Sequence, residues 1–129
     1  MTIQEAIRQV DTYLEQGRAA LGTRATLTDD FRKDRMACDD PSDQGPAGRV
    51  FATRDAQVLG VDDPAKDEVF ASLRKWWPSA GFRETAGQED AIYAENGTDG
   101  FRMSLQANVK GQFYLGVSSP CVWPDGKPE

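Results

Sequence analysis

The sequence contains no histidine, and that absence removes the commonest general base, the usual zinc ligand and the Ser-His-Asp arrangement together. No phosphate-binding G-x-x-x-x-G-K-[ST], no G-x-G-x-x-G and no H-E-x-x-H occurs. No window approaches the roughly 20 apolar residues of a membrane span, and the N-terminus lacks the basic start and apolar run of a signal peptide. Basic residues are scarce as well: 15 Lys and Arg stand against 21 Asp and Glu, a net charge of −6. Sequence-independent nucleic-acid binding draws its affinity from neutralised phosphates, so no nucleic-acid partner is expected. Docking on anionic lipid by charge is disfavoured for the same reason. Neither a cofactor nor a metal is expected.

Cysteine is nearly absent too. Cys38 and Cys121 are the only two, one at the end of an expected strand and one just beyond a hairpin, at a spacing that suits no local metal motif. Either they pair or they are two buried free thiols. An even count, one at each edge of the structured region, favours a bridge and with it an oxidising compartment. A bridge would also leave no thiol for catalysis.

What is present organises itself around the last third of the chain. Phe101, Met103, Leu105 and Ala107 alternate with polar residues, and after a turn at Val109-Lys110-Gly111 the alternation resumes with Phe113, Leu115 and Val117. That is a β-hairpin with one apolar face and one wet face. Two amphipathic helices are available to cover it. Thr2-Ile3-Gln4-Glu5 has the form of a capping box, and Ile3, Ala6, Ile7, Val10, Tyr13, Leu14 and Leu21 follow at helical spacing before a stop at Gly22. Asp63 before Pro64 reads as the start of a second helix that buries Val69, Phe70, Leu73 and Trp77 and ends at Pro78 and Gly81.

Three further strands are expected, over 25–38 with a bulge or turn near Asp29-Asp30, over 48–61, and between Phe82 and Asn96. The chain of 129 residues thus reads as a single α+β domain, an antiparallel sheet of about five strands with two helices packed on one face, in the order α-β-β-α-β-β-β.

Candidate chemistry is thin. Asp39, Asp40 and Asp43 offer clustered carboxylates but lack the spacing and terminal Glu of a calcium loop, so a solvated acidic loop is the better reading. Asn96-Gly97-Thr98 matches the N-glycosylation pattern and falls in an expected turn. Aromatic residues are the remaining candidates. Adjacent Trp76 and Trp77 point about 100° apart on a helix, so Trp77 is assigned to the core and Trp76 to its margin. Trp123, between prolines, packs over the cysteines or lies open as a platform, and packing is the preferred reading. Arg102 and Tyr114, on the wet face of the hairpin, complete a candidate binding set with Trp76 and Trp123.

Cys38-Asp39-Asp40-Pro41, Gly48-Arg49-Val50-Phe51, the helix end from Trp77 to Gly81, Asp99-Gly100-Phe101 with Ser104-Leu105, and the ending Ser119-Pro120-Cys121-Val122-Trp123-Pro124 together resemble small extracytoplasmic proteins of actinobacteria, many of them lipoproteins of unknown function. The resemblance spans most of the chain, and its most specific part is the Pro-Cys-Val-Trp-Pro ending. It implies an exported, disulfide-bonded domain tethered to the outer face of the membrane by a lipidated N-terminal cysteine, with an export segment preceding the first helix. It brings no catalytic residue.

The expected function is a non-enzymatic, cell-envelope binding or interaction domain, monomeric, whose partner is an unidentified protein or envelope component. Two other readings stay open. One is a carboxylate-dependent hydrolase acting on an envelope glycan; the other is a cytosolic inhibitor or immunity-type protein whose acidic surface meets a basic partner.

Overall fold

The computed structural model describes residues 1–29, 31–38, 48–61 and 66–127. The first helix, α1 (Ile3–Ala20), starts on the expected capping box: Thr2 N–H donates to Glu5 Oε1 at 2.9 Å and Glu5 N–H to Thr2 Oγ1 at 3.1 Å. Ile3, Ala6, Val10, Tyr13 and Gly17, three or four positions apart, form its buried stripe. The chain then passes through β1 (Thr26–Leu27), β2 (Phe31–Ala37) and β3 (Val50–Leu59), into α2 (Lys66–Ala80), and finishes as β4 (Phe82–Gln88), β5 (Ala91–Asn96), β6 (Arg102–Ala107) and β7 (Phe113–Ser118).

All seven strands join one antiparallel sheet in the order β1-β3-β7-β6-β5-β4, with β2 beside β1 along the outer edge of β3. Both helices pack on one face of it. Val10 and Tyr13 of α1, and Phe70, Leu73 and Trp77 of α2, share a single core with Met103, Leu105, Leu115 and Val117. The alternation predicted for the terminal hairpin is the one observed, and Trp77 is buried while Trp76 sits at the margin. The Trp77 indole N–H donates to Met103 Sδ at 3.2 Å, which gives a buried polar atom a soft acceptor.

The strand count is seven rather than five, for two local reasons. The expected strand over 25–38 is split into β1 and β2: Thr28 holds on to β3 through its own N–H and through its hydroxyl, which accepts from Gln57 N–H at 2.9 Å, and regular pairing resumes only at Phe31. The bulge expected near Asp29-Asp30 lies further on, between Lys33 and Met36. The stretch from Phe82 to Asn96 is not one strand but a hairpin, β4 and β5, closed by Glu89-Asp90 with Gln88 opposite Ala91. That turn carries neither Gly nor Asn, the usual sign of a two-residue loop.

The end of α2 also differs. Pro78 lies inside the last turn and the helix continues to Ala80, so the stop belongs to Gly81, whose φ of +90° an L-side chain rarely adopts. Asn96 Nδ2–H donates to Ala80 O at 2.9 Å and fastens this helix end to the sheet. The N-cap expected at Asp63 and Pro64, and the acidic loop at Asp39, Asp40 and Asp43, lie outside the described residues.

Cys38 and Cys121 are bridged, with a Cα–Cα distance of 6.1 Å and 83 positions between them. The link ties the end of β2 to the segment after β7, where Val50 and Val122 exchange two 2.8 Å hydrogen bonds. Two residues further, Pro124 O accepts from Ile3 N–H at 3.2 Å, so this segment satisfies one of the free donors at the start of α1.

Candidate functional site

Among the described residues no element covers the face of the sheet opposite the helices, and across it runs a groove of about 620 Å³. Strand register assembles it in rows. In the central row Tyr93 of β5 pairs with Ser104 of β6, Ser104 with Gly116 of β7, Gly116 with Asp55 of β3, and Asp55 with Phe31 of β2. The neighbouring row runs Arg83, Glu95, Arg102, Ser118, Thr53 and Lys33. Both outermost strands are bulged where they meet these rows, β2 between Lys33 and Met36 and β4 between Glu84 and Ala86. Bulges bend a strand and increase its twist, which raises the rims of a sheet face above its middle.

Gly116 lies in the floor of the groove. A Cβ there would stand 2.9 Å from Ser104 Oγ and 3.7 Å from Asp55 Oδ1, so any side chain would displace the Ser104 hydroxyl and stand up into the groove. Glycine in the interior of a strand weakens it, and here it lets the Ser104 hydroxyl lie against the backbone of β7. The hydroxyls of Tyr93 and Ser104 make no hydrogen bond with any described residue. Thr53 Oγ1 and Ser118 Oγ are 2.7 Å apart and either can be the donor. Arg102 Nε lies 3.6 Å from Glu95 Oε1, with the arginine side chain 76% exposed. That is a loose surface pair of small energetic worth, and it leaves most of the guanidinium N–H groups for other acceptors.

No protein-family model, curated protein or solved structure matches the chain.

Of the four candidate binding residues, Arg102 lines the groove. Tyr114 is on the same face one row away, between Gln106 and Gln57. Trp76 is on the opposite side of the sheet, against the Phe82 ring at 6.0 Å, and cannot share a site with the other two. Trp123 is half-buried, a Cβ on Gly48 would lie 3.2 Å from its ring, and it is not part of the groove lining. Sequence reasoning missed the centre of the site, namely Tyr93, Ser104, Gly116 and Asp55. Their only signal was a place on the wet side of the alternation, which many residues share.

Two other polar clusters are structural. Arg54 is 1% exposed on the helix side of β3, where Nε donates to Asp11 Oδ1 at 2.9 Å and Nη2 sits 2.8 Å from Asp34 Oδ1. Ala52 and Ala56 on either side make room for it. Tyr13 O–H donates to Asp99 Oδ2 at 2.5 Å and accepts from Asn96 Nδ2 at 3.2 Å. Burial and the Asp99 carboxylate hold the Tyr13 phenol well above its ordinary pKa. Asn96 is 3% exposed with its carboxamide fully engaged, so the glycosylation pattern at Asn96-Gly97-Thr98 is turned inward.

Among the described residues no cluster of three or more Cys, Asp or Glu could hold a metal ion, and no helix is long and apolar enough to cross a membrane. The disulfide is of the kind that persists in an oxidising, extracytoplasmic setting.

Proposed function

We propose that this protein is a non-enzymatic binding domain of the cell envelope, the folded part of a lipoprotein, and that the groove over Gly116 is its ligand seat. The observation that carries this reading is the floor itself: a strand glycine at the centre of a sheet, walled by Tyr93 and Ser104 hydroxyls that no described residue engages. The disulfide supports the envelope setting over a cytosolic inhibitor. The lipid anchor and the actinobacterial origin rest on the resemblance of the Ser119 to Pro124 ending and its companions.

Spacing weighs against the hydrolase reading. Asp55 and Glu95 are the carboxylates lining the groove, and three strand steps separate β3 from β5. That places their backbones about 14 Å apart, so the two carboxyl groups would have to lean toward each other across β7 and β6 to reach glycosidase spacing. Glu95 is moreover turned toward Arg102.

The test is a nuclear magnetic resonance screen of the ¹⁵N-labelled, oxidised protein with a panel of hydroxylated and carboxylated fragments. Amide shifts should gather at Tyr93, Ser104, Gly116 and Asp55, and Gly116→Ala, which fills the floor, should abolish them. Shifts confined to the helix side, or none at all, would overturn the proposal.

A further inference from the structure

We infer that the groove takes a carboxylate-bearing saccharide. This rests on the groove being the working surface and names the chemistry that fits it.

Five of the lining side chains carry hydroxyls: Thr53, Thr85, Tyr93, Ser104 and Ser118. A hydroxyl both donates and accepts, and so do the hydroxyls of a sugar, whereas an apolar ligand would bury these groups unpaired. Tyr93 and Ser104 have their full hydrogen-bonding capacity open to a ligand, and each member of the Thr53–Ser118 pair retains part of its own. The rings of Phe31, 43% exposed, and Tyr93 lie at opposite ends of the central row. They present flat apolar surface to the carbon-bound faces of sugar rings, as amphipathic aromatic groups do.

Charge selects among saccharides. In a chain of net charge −6, Arg102 lines the groove beside Glu95, and Arg83 and Lys33 flank it at the two ends of the same row, which carries three cations and one anion. Arg102 holds Glu95 only loosely, and its planar fork matches a carboxylate. The acids Glu95 and Asp55 in the same groove favour the single charge of a carboxylate over the higher charge of a phosphate monoester.

A peptide fits less well. The groove crosses the strands, and the backbone groups of β3, β7, β6 and β5 are already committed to ladders on both sides. An extended peptide could not add to the sheet there and would lack the main-chain hydrogen bonds that give strand addition its affinity.

The experiment titrates the labelled, oxidised protein with tetragalacturonic acid, a hyaluronan tetrasaccharide, neutral maltotetraose and tetraglutamate. Either acidic saccharide should shift the Tyr93, Ser104, Gly116 and Arg102 amides, and maltotetraose should bind at least tenfold more weakly. Arg102→Gln, at an exposed position, should weaken acidic-saccharide binding about tenfold or more without changing the thermal midpoint. Equal binding of maltotetraose, with Arg102→Gln silent, would overturn the role of charge. Tetraglutamate binding as tightly as the saccharides would make the ligand an acidic peptide. If no oligomer binds while small fragments still shift the groove amides, the saccharide inference fails and the binding function stands. If the fragments fail too, both fall.

Discussion

On the helix side of the sheet, Ala94 of β5 and Met103 of β6 are each 2% exposed; on the other side, one residue along the same strands, the Arg102 side chain is 76% exposed and that of Glu95 42%. The strands are shared, so secondary-structure preference cannot explain the difference. What differs is the constraint on each residue. The closed face is held by shape and water exclusion, where every methylene counts. The open face is held by backbone pairing beneath it, so its side chains are available for recognition. Stability should therefore reside on one face and specificity on the other.

The largest effect should come from a change that belongs to neither face. Replacing both Cys38 and Cys121 with serine releases an 83-residue loop and should cost about 4.5 kcal/mol in the chain-entropy description. Denaturant unfolding measures it, and a loss that left the groove amides unshifted in the native state would show that the bridge serves stability alone.

Next in size, Leu115→Ala should cost about 3 kcal/mol through lost burial and the cavity left behind. Ser104→Ala, one residue from Leu105, the cross-strand partner of Leu115, and on the open face, should stay within about 0.5 kcal/mol. Comparable costs for the two would break the division between the faces.

Arg54→Met tests the one buried charged side chain among the described residues. Asp11 and Asp34 are 41% and 56% exposed and can turn to water when their partner goes, so the expected cost is about 2 kcal/mol rather than the 3–5 of a fully buried broken pair. A stabilised Arg54→Met would mean the ion pairs serve orientation of α1 and not stability.

Smaller still is the alkaline response of Tyr13. Its pKa is raised in the folded protein because an ionised phenol would be buried against Asp99. The stabilising contribution is then complete below the ordinary phenol pKa near 10 and is lost as pH rises through and beyond it. Thermal unfolding followed between about pH 8 and pH 11 should show the midpoint falling at the upper end. Tyr13→Phe should remove that fall while costing about 1 kcal/mol at neutral pH for the lost hydrogen bonds. A slope that survives Tyr13→Phe would assign it to another group.

Legibility followed the same division. Strict alternation over Phe101 to Val117 and the helical stripe of α1 are signals of burial, and burial is what periodicity reports. Where burial is absent the signal fades: β2 is exposed along its whole length and β4 everywhere but Phe82, so their boundaries and the Glu89-Asp90 turn left no mark. Arg54 left a faint one, an arginine in the apolar register between two alanines. The groove left least, because its rows exist only through the register of five strand pairings that the sequence specifies jointly and displays nowhere singly. Arg102 was named for its place on the wet face; Gly116, which makes the floor, carries its meaning in the side chain it lacks.

The segment after β7 has a geometric corollary. A Cβ on Gly126 would lie 3.7 Å from the Met1 carbonyl oxygen, and Pro124 is bonded to Ile3, so the two ends of the described chain meet. Over the described residues the backbone path nearly closes on itself. Joined there by a short linker and reopened at the Glu89-Asp90 turn, the polypeptide should refold as a circular permutant with the sheet order, the bridge and the groove unchanged.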